Sequence, residues 1–227
     1  MKKILLLICI IGLFTPATLH AQDRANVFRH GKLDNGLTYY VRHTSMQPGK
    51  ADFYLVQNVG ALMEEDNQNG LAHFLEHMAF NGSESFKEGI PNFLKRRGVT
   101  RFNAQTGQDE TVYYMTAIPT NDTKLLDSCL LVMKDWSGFL LLKPDEIDKE
   151  RGVIREERRM RRNLGARLKE QSDPLVFNNS KYATRNVIGS EKIINNFTPE
   201  ELRAYYNDFY RPDLQAVIVV GDIEIGR

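Results

Sequence analysis

Apolar and polar residues change rhythm repeatedly along the chain, and each rhythm predicts an element. Residues 33–43 set an Asn35-Gly36 turn between strand-forming stretches. Residues 51–60, Ala-Asp-Phe-Tyr-Leu-Val-Gln-Asn-Val-Gly, predict the next strand, and the acidic, polar run 60–69 predicts a loop. From Gly70 to Phe80, the residues Leu71, Phe74, Leu75 and Met78 recur at spacings of three and four. That spacing predicts an amphipathic helix, with Asn69 as its cap. Residues 86–97 predict a short helix, interrupted at Gly89-Ile90-Pro91 and stopped by Gly98. Residues 101–105 and 110–118 predict two strands around a turn at Thr106-Gly107-Gln108-Asp109. Thr111, Tyr113 and Met115 alternate there with Val112, Tyr114 and Thr116, so one face is expected to be less buried.

The second half is more helical. Residues 125–139 predict a helix that holds Trp136, the single tryptophan, as a core residue. Pro144 followed by acids opens a long charged helix, expected to run to about Glu170. Residues 171–190 read as loop, with Pro174 and an Asn178-Asn179-Ser180 cluster. Thr198 and Glu201 have capping-box spacing before a helix through Tyr210. Arg211-Pro212-Asp213 then turns the chain into an apolar strand over 214–220. With no short-period repeat and no linker, residues 30–227 read as one α+β domain.

The chain has 227 residues, 42% apolar and 26% charged, which excludes a disordered tail, a collagen-like fibre and a multi-span membrane protein. Thirty basic residues face 29 acidic ones, so there is no broad basic footprint and nucleic acid is not an expected partner. Lys2 and Lys3 precede the apolar run 4–14, and Thr15-Pro16-Ala17-Thr18-Leu19-His20-Ala21 follows. This is the layout of a signal peptide over residues 1–21, cleaved after Ala21. The run is short for a bilayer span. The expectation is therefore export to the periplasm or beyond, with no stable membrane insertion after cleavage. Only Cys129 would then remain, which forbids an intramolecular disulfide; within an apolar helix it is expected to be an inert buried thiol.

His73-Phe74-Leu75-Glu76-His77 carries the chemistry. On a helix, His73 and His77 share a face and can close on one Zn²⁺, while Glu76 projects beside that face as a proton acceptor. Two histidines do not complete a catalytic set, and a carboxylate is expected as third ligand. Asp148, Glu150, Glu156 and Glu157 are the candidates on the charged helix, and His30 and His43 are the remaining mature histidines. Glu150 and Glu157 are seven apart and share a face, so one can bind metal while the other supports an imidazole; spacing alone leaves the roles open. The arginines over 151–162 read as a solvated helix face.

His73-x-x-Glu76-His77 is the inverted zinc motif, and its surroundings resemble the pitrilysin family of zinc peptidases, which includes insulin-degrading enzyme and mitochondrial processing peptidase. The resemblance runs in order from Leu33-Asp34-Asn35-Gly36-Leu37 through Gly70-Leu71-Ala72-His73 and Met78-Ala79-Phe80-Asn81-Gly82-Ser83. It continues over Asn103-Ala104-Gln105-Thr106, Glu150-Arg151-Gly152 to Glu156-Glu157, Phe209-Tyr210-Arg211-Pro212 and Val219-Val220-Gly221-Asp222. It implies a two-layer α/β domain, with a mostly antiparallel sheet packed against helices, over residues 22–227. It also implies a zinc endopeptidase unit in which His73, His77 and Glu157 hold Zn²⁺ and Glu76 is catalytic. Glu150 matches the supporting carboxylate, and Glu156 competes with Glu157 by a one-residue slip. Asn103 and Ala104 match an edge strand to which a peptide or unfolded protein substrate adds. The family's clamshell architecture implies a second homologous half or partner subunit. Two rivals are a non-catalytic interaction or scaffold module of the same fold, and a binding protein with a structural zinc closed by four protein ligands.

Overall fold

The computed structural model describes residues 27–178 and 180–226, so the expected signal peptide lies outside the described residues. Among the described residues, six strands form a single sheet: β1 Phe28–Lys32, β2 Thr38–His43, β3 Lys50–Gln57, β4 Phe102–Thr106, β5 Thr111–Pro119 and β6 Gln215–Gly221. Their spatial order is β1-β2-β6-β3-β5-β4. Only β2 and β6 run parallel; all other neighbours are antiparallel, as the mostly antiparallel expectation requires. The Asn35-Gly36 turn joins β1 to β2, with Gly36 at a φ of 94° that suits glycine.

The helices are α1 Leu71–Met78, α2 Ile90–Arg96, α3 Thr123–Gly138, α4 Pro144–Arg161, α5 Leu164–Val176, α6 Lys181–Thr184, α7 Glu191–Asn196 and α8 Pro199–Phe209. Strand alternation decides where they pack. Ala51, Phe53 and Leu55 on β3 are buried together with Thr111, Tyr113 and Met115 on β5, while Tyr54, Val56, Val112 and Tyr114 are only half-buried. The α1 helix lies against β4 and β5, α3 against β3 and β5, and α4 against α1. Trp136 is fully buried, stacks on Tyr113 at 5.4 Å, and donates its indole N–H to the Ala79 carbonyl at 3.0 Å. The core thus grips α1 just past its last turn. Among the described residues, no helix is long and apolar enough to cross a membrane.

Two boundaries differ from expectation. The charged helix does not reach Glu170; it stops at Arg161, and Asn163 caps a new helix by accepting the Ala166 N–H at 3.0 Å. An Asn side chain that can satisfy a free N–H favours a fresh start over continuation. Within residues 171–190, expected as loop, 171–176 belong to that second helix and Lys181–Thr184 form a short one. Pro174 lies inside the second helix, where it has no N–H to offer the Glu170 carbonyl, and that helix ends two residues later.

Candidate metal centre

The α1 helix is short and almost entirely enclosed. Seven of its eight residues are buried, and Met78, Phe74, Leu75 and Leu71 fasten it to the core. The opposing α4 helix is long and polar, with only Ile147 and Ile154 buried. Those two isoleucines lie on the face shared by Glu150 and Glu157 and turn that face inward. His73 and His77 stack edge to face at 4.7 Å, one turn apart, and look across to α4.

One donor atom each from His73, His77 and Glu157 lies within 4.8 Å of the others. Glu157 Oε2 stands 3.5 Å from His73 Nε2 and 3.3 Å from His77 Nε2. Ligands about 2.0–2.1 Å from a tetrahedral Zn²⁺ stand roughly 3.3–3.4 Å apart, so the spacing fits such an ion. Glu157 Oε2 is also buried with no hydrogen-bond partner, an expensive state for a carboxylate unless a cation faces it. Its other oxygen pairs with Arg161 at 2.5 Å.

The two imidazoles are held differently. His77 Nδ1 donates to Glu150 Oε1 at 2.8 Å, which leaves Nε2 directed at the cluster. His73 Nδ1 is buried and has no partner. Burial, reinforced by the charges of His77 and Arg161, drives the His73 pKa down to about 3, so this ring is a neutral donor. Burial also pulls His77 down, but the Glu150 hydrogen bond and the Glu150, Glu76 and Glu157 charges outweigh it and hold His77 above its ordinary value.

Glu76 points into a cleft of about 380 Å³ lined by His73, His77, Asn103, Thr106, Glu157 and Arg161 among others. The Thr106 hydroxyl donates to Glu76 Oε2 at 2.7 Å. Burial raises the Glu76 pKa against the opposing pull of Thr106 and His77, which makes it a better proton acceptor than a surface glutamate. Asn103 and Ala104 line the same cleft from β4, the last strand of the sheet.

The other acids and histidines stand elsewhere. Glu156 is half exposed and pairs with Arg159, and Asp148 pairs with Arg151. His43 Nδ1 contacts the Ile223 carbonyl oxygen, and His30 stacks on Tyr40. Cys129 is buried, and its thiol is pushed up to about 12 by burial.

Two sequence expectations need correction. Asn69 does not cap α1; the cap position is Gly70, at a φ of 109°, and the carboxylate comes from Glu64. Glu64 accepts the Gly70 and Ala72 N–H groups at 2.9 Å each and is fully buried. Its neighbours Glu65 and Asp66 make it look like one acid in a solvated loop, so no local signal marks it. The arginines of α4 are not all solvated either. Arg151 donates to the Ile194 and Phe197 carbonyls and lies 4.1 Å from the Phe197 ring, and Arg158 donates to the Gly189 carbonyl. Arg151 and Arg158 each follow a key acid by one residue. They therefore grip the flank of α4 that adjoins its acidic face.

Fold and site together define a class: a mixed-sheet α/β domain with an inverted His-x-x-Glu-His helix facing an acid on a second helix. The chain belongs to the insulinase family, peptidase family M16, whose pattern matches residues 35–172. It is 36% identical over 200 residues to the probable zinc protease PqqL of Haemophilus influenzae, covering 86% of this chain and 22% of that protein. Among solved structures, the periplasmic protease PqqL from Escherichia coli superposes with a TM-score of 0.83 at 33% identity, over 88% of this chain and 22% of that one. The structure of the first half of that protease matches equally well, and 43% of it is covered. The chain spans about a fifth of the length of the PqqL relatives it matches, and 49% of the zinc protease PqqE of Helicobacter pylori.

Proposed function

We propose that residues 22–227 are the metal-bearing unit of a zinc metalloendopeptidase, with His73, His77 and Glu157 holding Zn²⁺. The observation that carries this reading is the buried, unpartnered Glu157 oxygen facing two imidazole nitrogens at 3.3 and 3.5 Å. When bound, zinc supplies Lewis acidity that polarises a carbonyl and lowers the pKa of a water. Glu76 takes a proton from the attacking water and passes it to the leaving amine, with Thr106 steadying one carboxylate oxygen. Glu150 keeps the His77 ring in register by accepting from Nδ1. Asn103 and Ala104 belong to an edge strand where an extended peptide or unfolded protein adds by backbone pairing.

Coverage of 49% of the zinc protease PqqE of Helicobacter pylori supports a second homologous half as the partner that completes the enzyme. The periplasmic description of the E. coli structure supports export after removal of residues 1–21. A non-catalytic scaffold of the same fold has less support, because His73, Glu76, His77 and an acid opposite them are all present.

Metal analysis of the purified chain tests the reading. About one zinc per chain is expected in the wild type, falling to near zero in His77→Ala and Glu157→Gln. Glu76→Gln should keep its zinc and lose peptide hydrolysis by at least about 100-fold when the missing half is supplied. A folded wild type without zinc would overturn the assignment. Zinc retained by Glu157→Gln would overturn Glu157 as the third ligand.

A further inference from the structure

The first turn of a helix leaves N–H groups without intrahelical partners, and the residue before it supplies the usual cap. In α1 that position is closed to any side chain. Gly70 has a φ of 109°, and a Cβ there would meet the Gly189 Cα at 2.7 Å and the Ile194 side chain at 2.8 Å. Neither Ser, Thr, Asp nor Asn can stand in this place, so the cap must come from outside the helix. Glu64 provides it, with two bonds of 2.9 Å to Gly70 and Ala72.

Glu64 is itself tethered. Arg185 Nε donates to the Glu64 backbone carbonyl at 3.1 Å, and Lys181 reaches the same oxygen at 3.4 Å. The Ser190 N–H donates to the Asn69 carbonyl, and Arg158 donates to the Gly189 carbonyl. One segment, residues 185–190, thus touches both the start of α1 and the flank of α4.

His73 is the residue most exposed to any slackness there. The Glu150 carboxylate fixes the second nitrogen of His77, but the second nitrogen of His73 has no partner. Packing and the path of the backbone alone set the His73 ring, and the N–H bound by Glu64 belongs to the residue immediately before it.

We propose that Glu64 is a positioning residue for the metal centre: its carboxylate fixes the first turn of α1, and through that turn the direction in which His73 offers its donor nitrogen. The proposal rests on the zinc reading above and extends it to a residue that touches neither metal nor substrate.

The test is zinc affinity by chelator competition on the full chain, comparing wild type with Glu64→Gln, which keeps one acceptor oxygen and puts an amide N–H₂ in place of the other. Thr198→Ala serves as a control: it removes the remote cap of α8 and destabilises without touching the centre. Folding is checked by circular dichroism, and the Co²⁺-substituted absorption spectrum reports ligand geometry. Glu64→Gln is expected to weaken zinc binding about tenfold and to alter the Co²⁺ spectrum, as loss of a supporting partner does. Thr198→Ala should leave both unchanged. A folded Glu64→Gln with zinc affinity within threefold of wild type and an unchanged spectrum overturns the proposal. So does an equal loss of affinity in Thr198→Ala, which would reduce Glu64 to general stability. A wild type that binds no zinc overturns the metal reading itself, and the proposal falls with it.

Discussion

The α1 and α4 helices supply opposite sides of one centre by opposite means. The first is eight residues long, buried on nearly every side, and takes its position from Phe74, Leu75 and Met78. The second is 18 residues long, mostly exposed, and takes its position from Ile147, Ile154 and two gripping arginines. Burial holds the His73 imidazole neutral, while the surrounding carboxylates raise His77 above its ordinary value. The α4 helix is open on its outer flank, but Glu150 and Glu157 on its inner face are mostly covered. The lesson is that packing fixes one side of the centre and polar grips fix the other.

The largest expected effect strikes the packing side. Phe74 is fully buried and meets Phe197 edge to face at 4.8 Å, so Phe74→Ala should cost about 3–5 kcal/mol in urea unfolding. Val153→Ala, on the exposed flank of α4, should stay within about 0.5 kcal/mol. Equal losses at the two sites would break the contrast.

A pH titration sharpens it next. Burial holds the Glu64 carboxyl up at about 7 against an ordinary 4.5, although the Ala72 and Gly70 N–H groups and Arg185 pull it down. The folded chain therefore keeps a proton that the unfolded chain releases. Its contribution is full below pH 4.5 and is lost as pH rises through 7, by up to about 3 kcal/mol. The metal-free wild type should show this loss relative to Glu64→Gln, which lacks the titrating group. Unfolding free energies with the same pH slope in both would refute it.

The smallest effect separates neighbouring acids on α4. Glu150→Gln should weaken zinc binding about 10- to 100-fold by loosening its hold on His77. Glu156→Gln, which breaks only the Arg159 pair, should leave zinc binding where it was.

Legibility follows the same contrast. The spacing of Leu71, Phe74, Leu75 and Met78 reveals α1 because burial demands apolar side chains at helical period. The capping box at Thr198 and Glu201 is visible for a similar local reason, since both partners lie within one turn. Glu150 and Glu157 are visible only as a seven-residue pair among other acids, and it takes the fold to turn them towards the histidines. Glu64 and Arg151 are invisible because their partners lie 6 to 46 residues away and are backbone groups, which leave no mark in a side-chain pattern. The early end of α4 depends on one Asn side chain outcompeting helix continuation, a local balance that charge composition does not record.

The edge strand β4 has a further consequence. Its sequence, Phe-Asn-Ala-Gln-Thr, contains no charge and no proline, and among the described residues it pairs only with β5. The opposite edge, β1, carries Arg29 and Lys32. Charges and prolines are what normally keep sheet edges from joining one another. Without those guards, β4 is the place where two copies of this domain would meet, and concentrated solutions should aggregate through it first.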